Sequence, residues 1–172
     1  MQAESFDAIA EARRQWVQHE IPEPLPMAAA TSIIRANQLV TTRVDRALRP
    51  LGLTFARYEL LMLLSFSRNG ALPITTMGPR LMVHPTGVSK LVDKLEQQDL
   101  VRREPNPRDR RSTLARITPT GRRVAKKASG AVAGIRFGTD LSDRDLERLT
   151  ALLTSLRRRA GDLGGGVKDQ PE

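Results

Sequence analysis

The chain has 172 residues, carries 28 lysines and arginines against 19 aspartates and glutamates, and has a formal net charge of +9. A chain this long supports one domain with a real core, burying roughly 70% of its unfolded surface. It contains no cysteine, which excludes disulfides and thiol-based redox sensing, and its two histidines, His19 and His84, stand in no spacing typical of a metal site.

Residues 3–19 read as a helix with Phe6, Ile9, Trp16 and Val17 on one side. Pro22, Pro24 and Pro26 are then expected to break the chain into an extended linker. Trp16 is the only tryptophan. It reads as an anchor for this arm, with a ligand-pocket wall as the alternative. From Ala28 to Arg49 a helical stripe runs through Ile33, Leu39, Val40, Val44 and Leu48, stopped by Pro50 and Gly52. Thr54 is a plausible N-cap for a helix to Arg68, ended by Asn69-Gly70. Its run Leu60 to Leu64 is apolar nearly all round, which marks it as the most buried helix. Glu59 near its start suits a helix N-terminus.

Residues 74–82 are expected to form the first helix of a helix-turn-helix, with Met77 and Leu81 inward. Pro79 is tolerable there if the helix starts near Thr75, which keeps the missing N–H within the first turn. His84 falls in the turn. Pro85 then suits the first position of a second helix, where Val88, Leu91, Val92 and Leu95 recur at i, i+3, i+4, i+7. The other face carries Thr86, Gly87, Ser89, Lys90 and Asp93, with Lys94 one turn after Lys90. Hydroxyls, a lysine and a glycine near the N-terminus suit a helix that enters a DNA groove.

Two β-type runs follow, Leu100 to Arg103 and Thr113 to Ile117. The loop between them, 104–112, is rich in turn formers and arginine. Residues 101–127 hold ten basic side chains against Glu104 and Asp109, so this window alone is +8. A local basic stripe points to a polyanion partner better than a basic average does. Beyond Gly121 a long helix is expected to about Arg136, with Gly138 near its end. Ser142 and Asp145 then make a capping-box-like start for a last helix. That helix carries Leu146, Leu149, Leu152, Leu153 and Leu156 on one stripe, and Arg157, Arg158 and Arg159 at its C-terminal end. The glycine-rich end reads as a flexible tail, 163–172.

Helix, strand, basic loop, strand is the layout of a winged helix-turn-helix, and this segment resembles the MarR family of bacterial transcription regulators. The matching residues are Val88 to Leu95, Leu100-Val101-Arg102-Arg103, the wing Asp109-Arg110-Arg111-Ser112, and Leu114 through Ile117-Thr118-Pro119-Thr120-Gly121. Coarser resemblance covers 28–162. The resemblance implies a mainly α fold with a small β-hairpin wing, and long N- and C-terminal dimerisation helices. Ahead of that region the residues read as an arm and linker at 1–27, and within it the expected parts are the helix-turn-helix at 74–98, the wing at 100–118 and dimerisation helices at 119–162. The resemblance also implies a homodimer on pseudopalindromic duplex DNA, a repressor released by a small aromatic or anionic ligand. The extra N-terminal helix with its tryptophan resembles the urate-responsive subgroup, whose pocket pattern falls on Trp16, Glu59, Lys90 and Arg102 or Arg103. Glutamate here replaces the typical aspartate, and lysine, which lacks the planar fork that grips a flat anion, replaces the typical arginine.

On DNA, Arg103, Arg108 and Arg122, with hydroxyls such as Thr86 or Ser112, are expected at phosphates. Thr86, Ser89 and Lys90 are expected at base edges in the major groove. Arg110 and Arg111 at the wing tip should reach the minor groove. The resemblance assigns Asp109 to holding Arg111. A non-specific architectural nucleic-acid protein is the alternative reading. An enzyme is disfavoured: no nucleophile–base pair, metal cluster or phosphate-binding glycine loop is legible, and no cofactor is expected. Neither a run of about 18 apolar residues nor a signal-peptide core is present, so a cytoplasmic protein away from membranes is expected.

Overall fold

The computed structural model describes residues 6–109 and 111–163. The chain divides into two units, 1–43 and 44–172, whose boundary falls inside the second helix. The expected tail at 163–172 lies, after its first residue, outside the described residues.

The first unit holds α1 (Ala8–Gln18) and most of α2 (Pro24–Leu48). Asp7 starts α1 by accepting the Ile9 and Ala10 N–H groups at 2.9 and 3.2 Å. The expected proline linker is not extended. Pro24 and Pro26 sit in the first turn of α2, where the missing N–H bonds would have no helical acceptor. Only a short turn separates the helices, with Glu20 and Glu23 at positive φ.

The second unit is built around α3 (Phe55–Phe66), and Leu60, Leu61 and Leu64 are fully buried, as the apolar run foretold. The helix stops at Phe66, two residues before the expected end. Thr54 occupies the cap position, but its hydroxyl makes no cap bond. Instead Asp45 accepts the Phe55 N–H at 2.7 Å, fastening the start of α3 to the last turns of α2. Val44 and Leu48 from those turns enter the core.

A strand that the pattern did not reveal follows, β1 (Ala71–Pro73). After a 3-10 turn over Ile74–Thr76 come α4 (Met77–Leu81), α5 (Pro85–Glu96), β2 (Val101–Pro105) and β3 (Thr113–Ile117). The wing hairpin is therefore part of a three-stranded antiparallel sheet, ordered β1-β3-β2. Pro79 does lie in the first turn of a helix, because the α-helical part of residues 74–82 is only Met77–Leu81.

Next, α6 spans Pro119–Gly134, starting three residues before the expected Arg122 and ending two before the expected Arg136. The Ile117-Thr118-Pro119-Thr120-Gly121 segment has a physical explanation here. Thr118 Oγ1 accepts the Gly121 N–H at 2.9 Å and donates to the Asp99 carbonyl at 2.7 Å, and Pro119 takes the first helical position. Gly121 lies so close to the Leu100 carbonyl oxygen that a Cβ would stand 2.1 Å from it. A 3-10 turn over Arg136–Gly138 leads to α7 (Asp143–Arg159), whose first turn is capped by Ser142. No residue of α7 is buried within the chain.

Gly121→Ala should lower stability by about 3 kcal/mol, the upper end for overpacking a filled site, because the obstruction is main chain. A thermal melt within a degree of wild type would show that this junction yields.

Candidate nucleic-acid interface

The second helix of the helix-turn-helix, the one expected to read DNA, is α5. Its apolar face is anchored by Val88, Val92 and Leu95, all fully buried, with Leu91 at the margin. The opposite face leaves Thr86, Ser89, Lys90, Asp93 and Lys94 exposed. His84 is the N-cap: its Nδ1 accepts the Thr86 N–H at 3.4 Å and lies 2.9 Å from the Thr86 hydroxyl. Gly87 sits half-buried, and a Cβ there would stand 2.6 Å from a Val83 methyl. The structure thus gives Gly87 a packing role, letting α5 close on the preceding turn. In that turn, Met82 is 75% exposed at φ 53, beside the start of the reading helix.

The wing loop is held by its own side chains. Asn106 Oδ1 accepts the Arg108 N–H at 3.0 Å, and Asn106 Nδ2 donates to the Ser112 hydroxyl at 2.7 Å. Ser112 donates in turn to the Asp109 carbonyl at 3.1 Å. Ser112 is therefore engaged inside the loop rather than presented to phosphate. Asp109 supports the wing through the main chain: its carboxylate accepts the Arg111 N–H at 3.0 Å. The Arg108 and Arg111 side chains are exposed, and Arg110 lies outside the described residues. Arg122, Arg123, Lys126 and Lys127 continue an exposed basic face along α6.

Two arginines of β2 are engaged within the protein. Arg103 pairs with Asp93 at 2.6 Å and with Glu96, both on α5, instead of standing free for a phosphate. Partial burial opposes its charge, and the hydrogen bonds that Arg103 donates to Asp93 and Glu96 outweigh that, raising its pKa. Arg102 and Arg116 face each other across the β2–β3 ladder, where like charges repel. Glu104 bridges them, with one oxygen 2.7 Å from Arg102 Nε and the other 2.6 Å from Arg116 Nε. The hydrogen bond from Arg116 holds the Glu104 carboxyl below the ordinary glutamate range, against partial burial and with help from Arg102. Sequence reasoning missed Asp93, Glu96 and Glu104 in these roles. The available signal was three acids set close to the arginines of a basic window.

Of the residues matched to a ligand pocket, Trp16 is half-buried in the first unit. Glu59 is half-buried on α3, and burial pushes its carboxyl up. Lys90 is exposed on α5, and Arg102 is exposed on β2 with Glu104. Among the described residues, no hydrogen bond or ion pair joins Glu59, Lys90 and Arg102. A cleft of about 310 Å³ that the sequence did not suggest opens between α3 and α6, lined by Met62, Ser65, Arg122, Ala125, Lys126 and Ser129. Among the described residues there is no cluster of potential metal ligands and no helix long and apolar enough to cross a membrane.

A short helix, a turn, a polar-faced second helix and an arginine-bearing hairpin define a winged helix-turn-helix DNA-binding protein. The sequence model of the MarR family matches residues 53–113. The solved structure of Sco5413, a MarR family transcriptional regulator from Streptomyces coelicolor, is 45% identical, with a TM-score of 0.74 over 81% of this chain and 98% of that one. Sco3205, a regulator of the same family and organism solved in complex with DNA, is 28% identical, with a TM-score of 0.69 over 83% of this chain and 90% of that one. CouR from Rhodococcus jostii RHA1, solved bound to p-coumaroyl-CoA, is 27% identical, with a TM-score of 0.64 over 74% and 90% respectively. The chain belongs to the MarR family and is a DNA-binding transcription regulator.

Because Glu104 titrates lower in the folded protein, its stabilisation is present above the ordinary glutamate value of about 4.3 and is lost as pH falls through the lower folded value. Wild type should lose melting temperature on acidification below that point. Glu104→Gln should lower the melting temperature at neutral pH and flatten the acid limb. Superimposable pH profiles would remove Glu104 from the acid response.

Proposed function

We propose that this regulator acts as a homodimer on a pseudopalindromic operator, as a repressor released when a small aromatic or anionic ligand binds. The observation that carries the DNA reading is the exposed row Thr86, Ser89 and Lys90 on α5 beside a hairpin bearing exposed Arg108 and Arg111. Thr86, Ser89 and Lys90 meet base edges, and Lys94 lies toward the backbone. Arg108 and Arg122 bind phosphates, and Arg111, with Arg110, reaches into the minor groove. That Sco3205 is solved on DNA supports the assignment. The protein works in the cytoplasm, where its operator is.

Dimerisation is supported by apolar surface that the single chain leaves open. On α7, Leu149, Leu152 and Leu156 are 41, 71 and 51% exposed. On α2, Ile33, Ile34 and Leu39 are also exposed. A second copy covers such faces most economically, and a two-fold axis sets the reading helices about one helical turn, roughly 34 Å, apart. The C-terminal helices then serve as dimerisation helices.

Selection of bound sequences from random duplexes, with sedimentation of the complex, tests this reading. Two inverted half-sites and two chains per duplex are expected, with a preference over random duplex of about 10³ or more. A featureless selection would favour the architectural alternative. Arg111→Ala should weaken operator binding about tenfold and reduce the salt slope by about one without altering the melting temperature. Unchanged affinity would remove the wing from the interface.

The cleft between α3 and α6 supports the ligand reading. Met62 and Ala125 give it apolar lining, Ser65 and Ser129 hydroxyls, and Arg122 and Lys126 positive charge. CouR, holding p-coumaroyl-CoA, is a relative with an aromatic, anionic ligand. In a thermal-shift panel of purines and phenolic acids, an effector at about 100 times its Kd should add about 2.7 kcal/mol to stability. Lys126→Ala should reduce that gain. A flat panel would count against effectors of these two classes.

A further inference from the structure

One charged cluster on the DNA side is engaged wholly within the protein. Arg103 of β2 directs both terminal nitrogens of its guanidinium at α5, Nη2 to Asp93 Oδ1 at 2.6 Å and Nη1 to Glu96 Oε2. Its main-chain N–H donates to the other Glu96 oxygen at 2.9 Å. Asp93 and Glu96 stand three residues apart, one turn along the same helix side. Two side-chain bonds and one main-chain bond therefore tie the wing strand to the C-terminal half of the reading helix. Asp93 also lies seven residues after Thr86, two turns along nearly the same face. Its side chain is 53% exposed. Unneutralised, it would stand toward DNA phosphates.

We propose that Arg103 is a positioning residue for sequence reading rather than a phosphate ligand. It fixes the direction of α5 against the wing and neutralises Asp93 on the reading face. The helix and the hairpin then enter their two grooves as one rigid body. Held in one register, Thr86, Ser89 and Lys90 reward the matching bases and reject others. A helix free to pivot would reach acceptable contacts on many sequences, and discrimination would fall before affinity did. The planar fork is what two acids one turn apart require, since a lysine ammonium carries the same charge without that geometry.

The inference rests on specific DNA reading, so wild type comes first. If wild type binds the selected operator and a random duplex of equal length equally, the specific-regulator reading fails and the variants are not needed to judge it. Given a wild-type preference, fluorescence anisotropy is repeated with Arg103→Lys, with the pair Asp93→Asn and Glu96→Gln, and with all three together. Arg103→Lys keeps the charge, so random-duplex affinity should hold within about twofold while the operator preference falls about tenfold. The acid pair should bind random duplex more tightly, having lost negative charge, yet lose preference to a similar degree. The triple variant should lose no more than either, as residues sharing one interaction do. If Arg103→Lys preserves both affinities, or if the acid pair strengthens operator and random duplex equally, Arg103 is a phosphate ligand and the proposal is overturned. Thermal melts accompany each variant; should Arg103→Lys melt near the assay temperature, the acid pair decides.

Discussion

The organisation of this DNA-binding lobe depends on one main-chain junction. The Leu100 N–H is bonded to the Leu95 carbonyl at 2.9 Å, and the Leu100 carbonyl accepts the Thr118 N–H at 3.0 Å. Gly121 presses against that same carbonyl, with no room for a side chain. The end of the reading helix, the start of β2, the end of β3 and the first turn of α6 therefore meet around a single residue. Asp99, at φ 55, turns the chain into this junction, and the Thr118 hydroxyl holds its carbonyl from the other side. The wing leaves the junction on one strand and returns on the next, so its base is fixed whatever its tip does. Because the groups involved are main-chain amides, the geometry survives exchange of most side chains around it. The glycine is the exception, since any side chain there would meet the Leu100 carbonyl.

Much of this was legible in the residues, and the divisions are instructive. The i, i+3, i+4, i+7 pattern at Val88 to Leu95 identified α5 and its buried face, because a helix packed on one side must show that period. Thr118 and Gly121 were visible as a motif, but their reasons, a cap and a close backbone approach, emerged only from the fold. The strand Ala71–Pro73 was hidden: three residues ending in proline show no alternation, and the strand exists because β3 offers it a free edge. The prolines at 24 and 26 were misread as breakers, since a first turn of helix accepts what a middle turn does not. Among the candidate site residues, composition gave the arginines their charge but not their partners. Arg103 and Arg108 look equivalent on paper, and only the strand register places one against α5 and leaves the other on the loop.

The apolar surface makes a separate argument. A helix whose leucines face water gains little by holding its shape alone, and α7 has no fully buried residue within its own chain, with Leu146 and Leu153 only half-buried. Its two ends are nevertheless carefully made, with Ser142 capping the start and three arginines in the last turn. Leu149, Leu152 and Leu156 between such ends suit a helix whose packing partner is another molecule. Pairing through these helices would also solve the problem of affinity. A single reading helix presents only a few base-reading side chains, and joining two on one duplex makes the second encounter intramolecular.

The distribution of charge within the basic window bears on what kind of DNA binding this is. An architectural protein gains from every exposed cation, since phosphate neutralisation is its whole source of affinity. Here the fold withdraws cations from that use. Arg103 is matched by two acids on α5, and Arg102 and Arg116 share Glu104. The sequence-independent attraction is thereby weakened, while Arg108 and Arg111 remain exposed beside the face that carries Thr86, Ser89 and Lys90. Specificity is a difference between two affinities, and lowering the non-specific one widens it as surely as adding a base contact. Acids on and next to α5 that hold arginines in this way favour discrimination over coating, as the proposed operator reading requires.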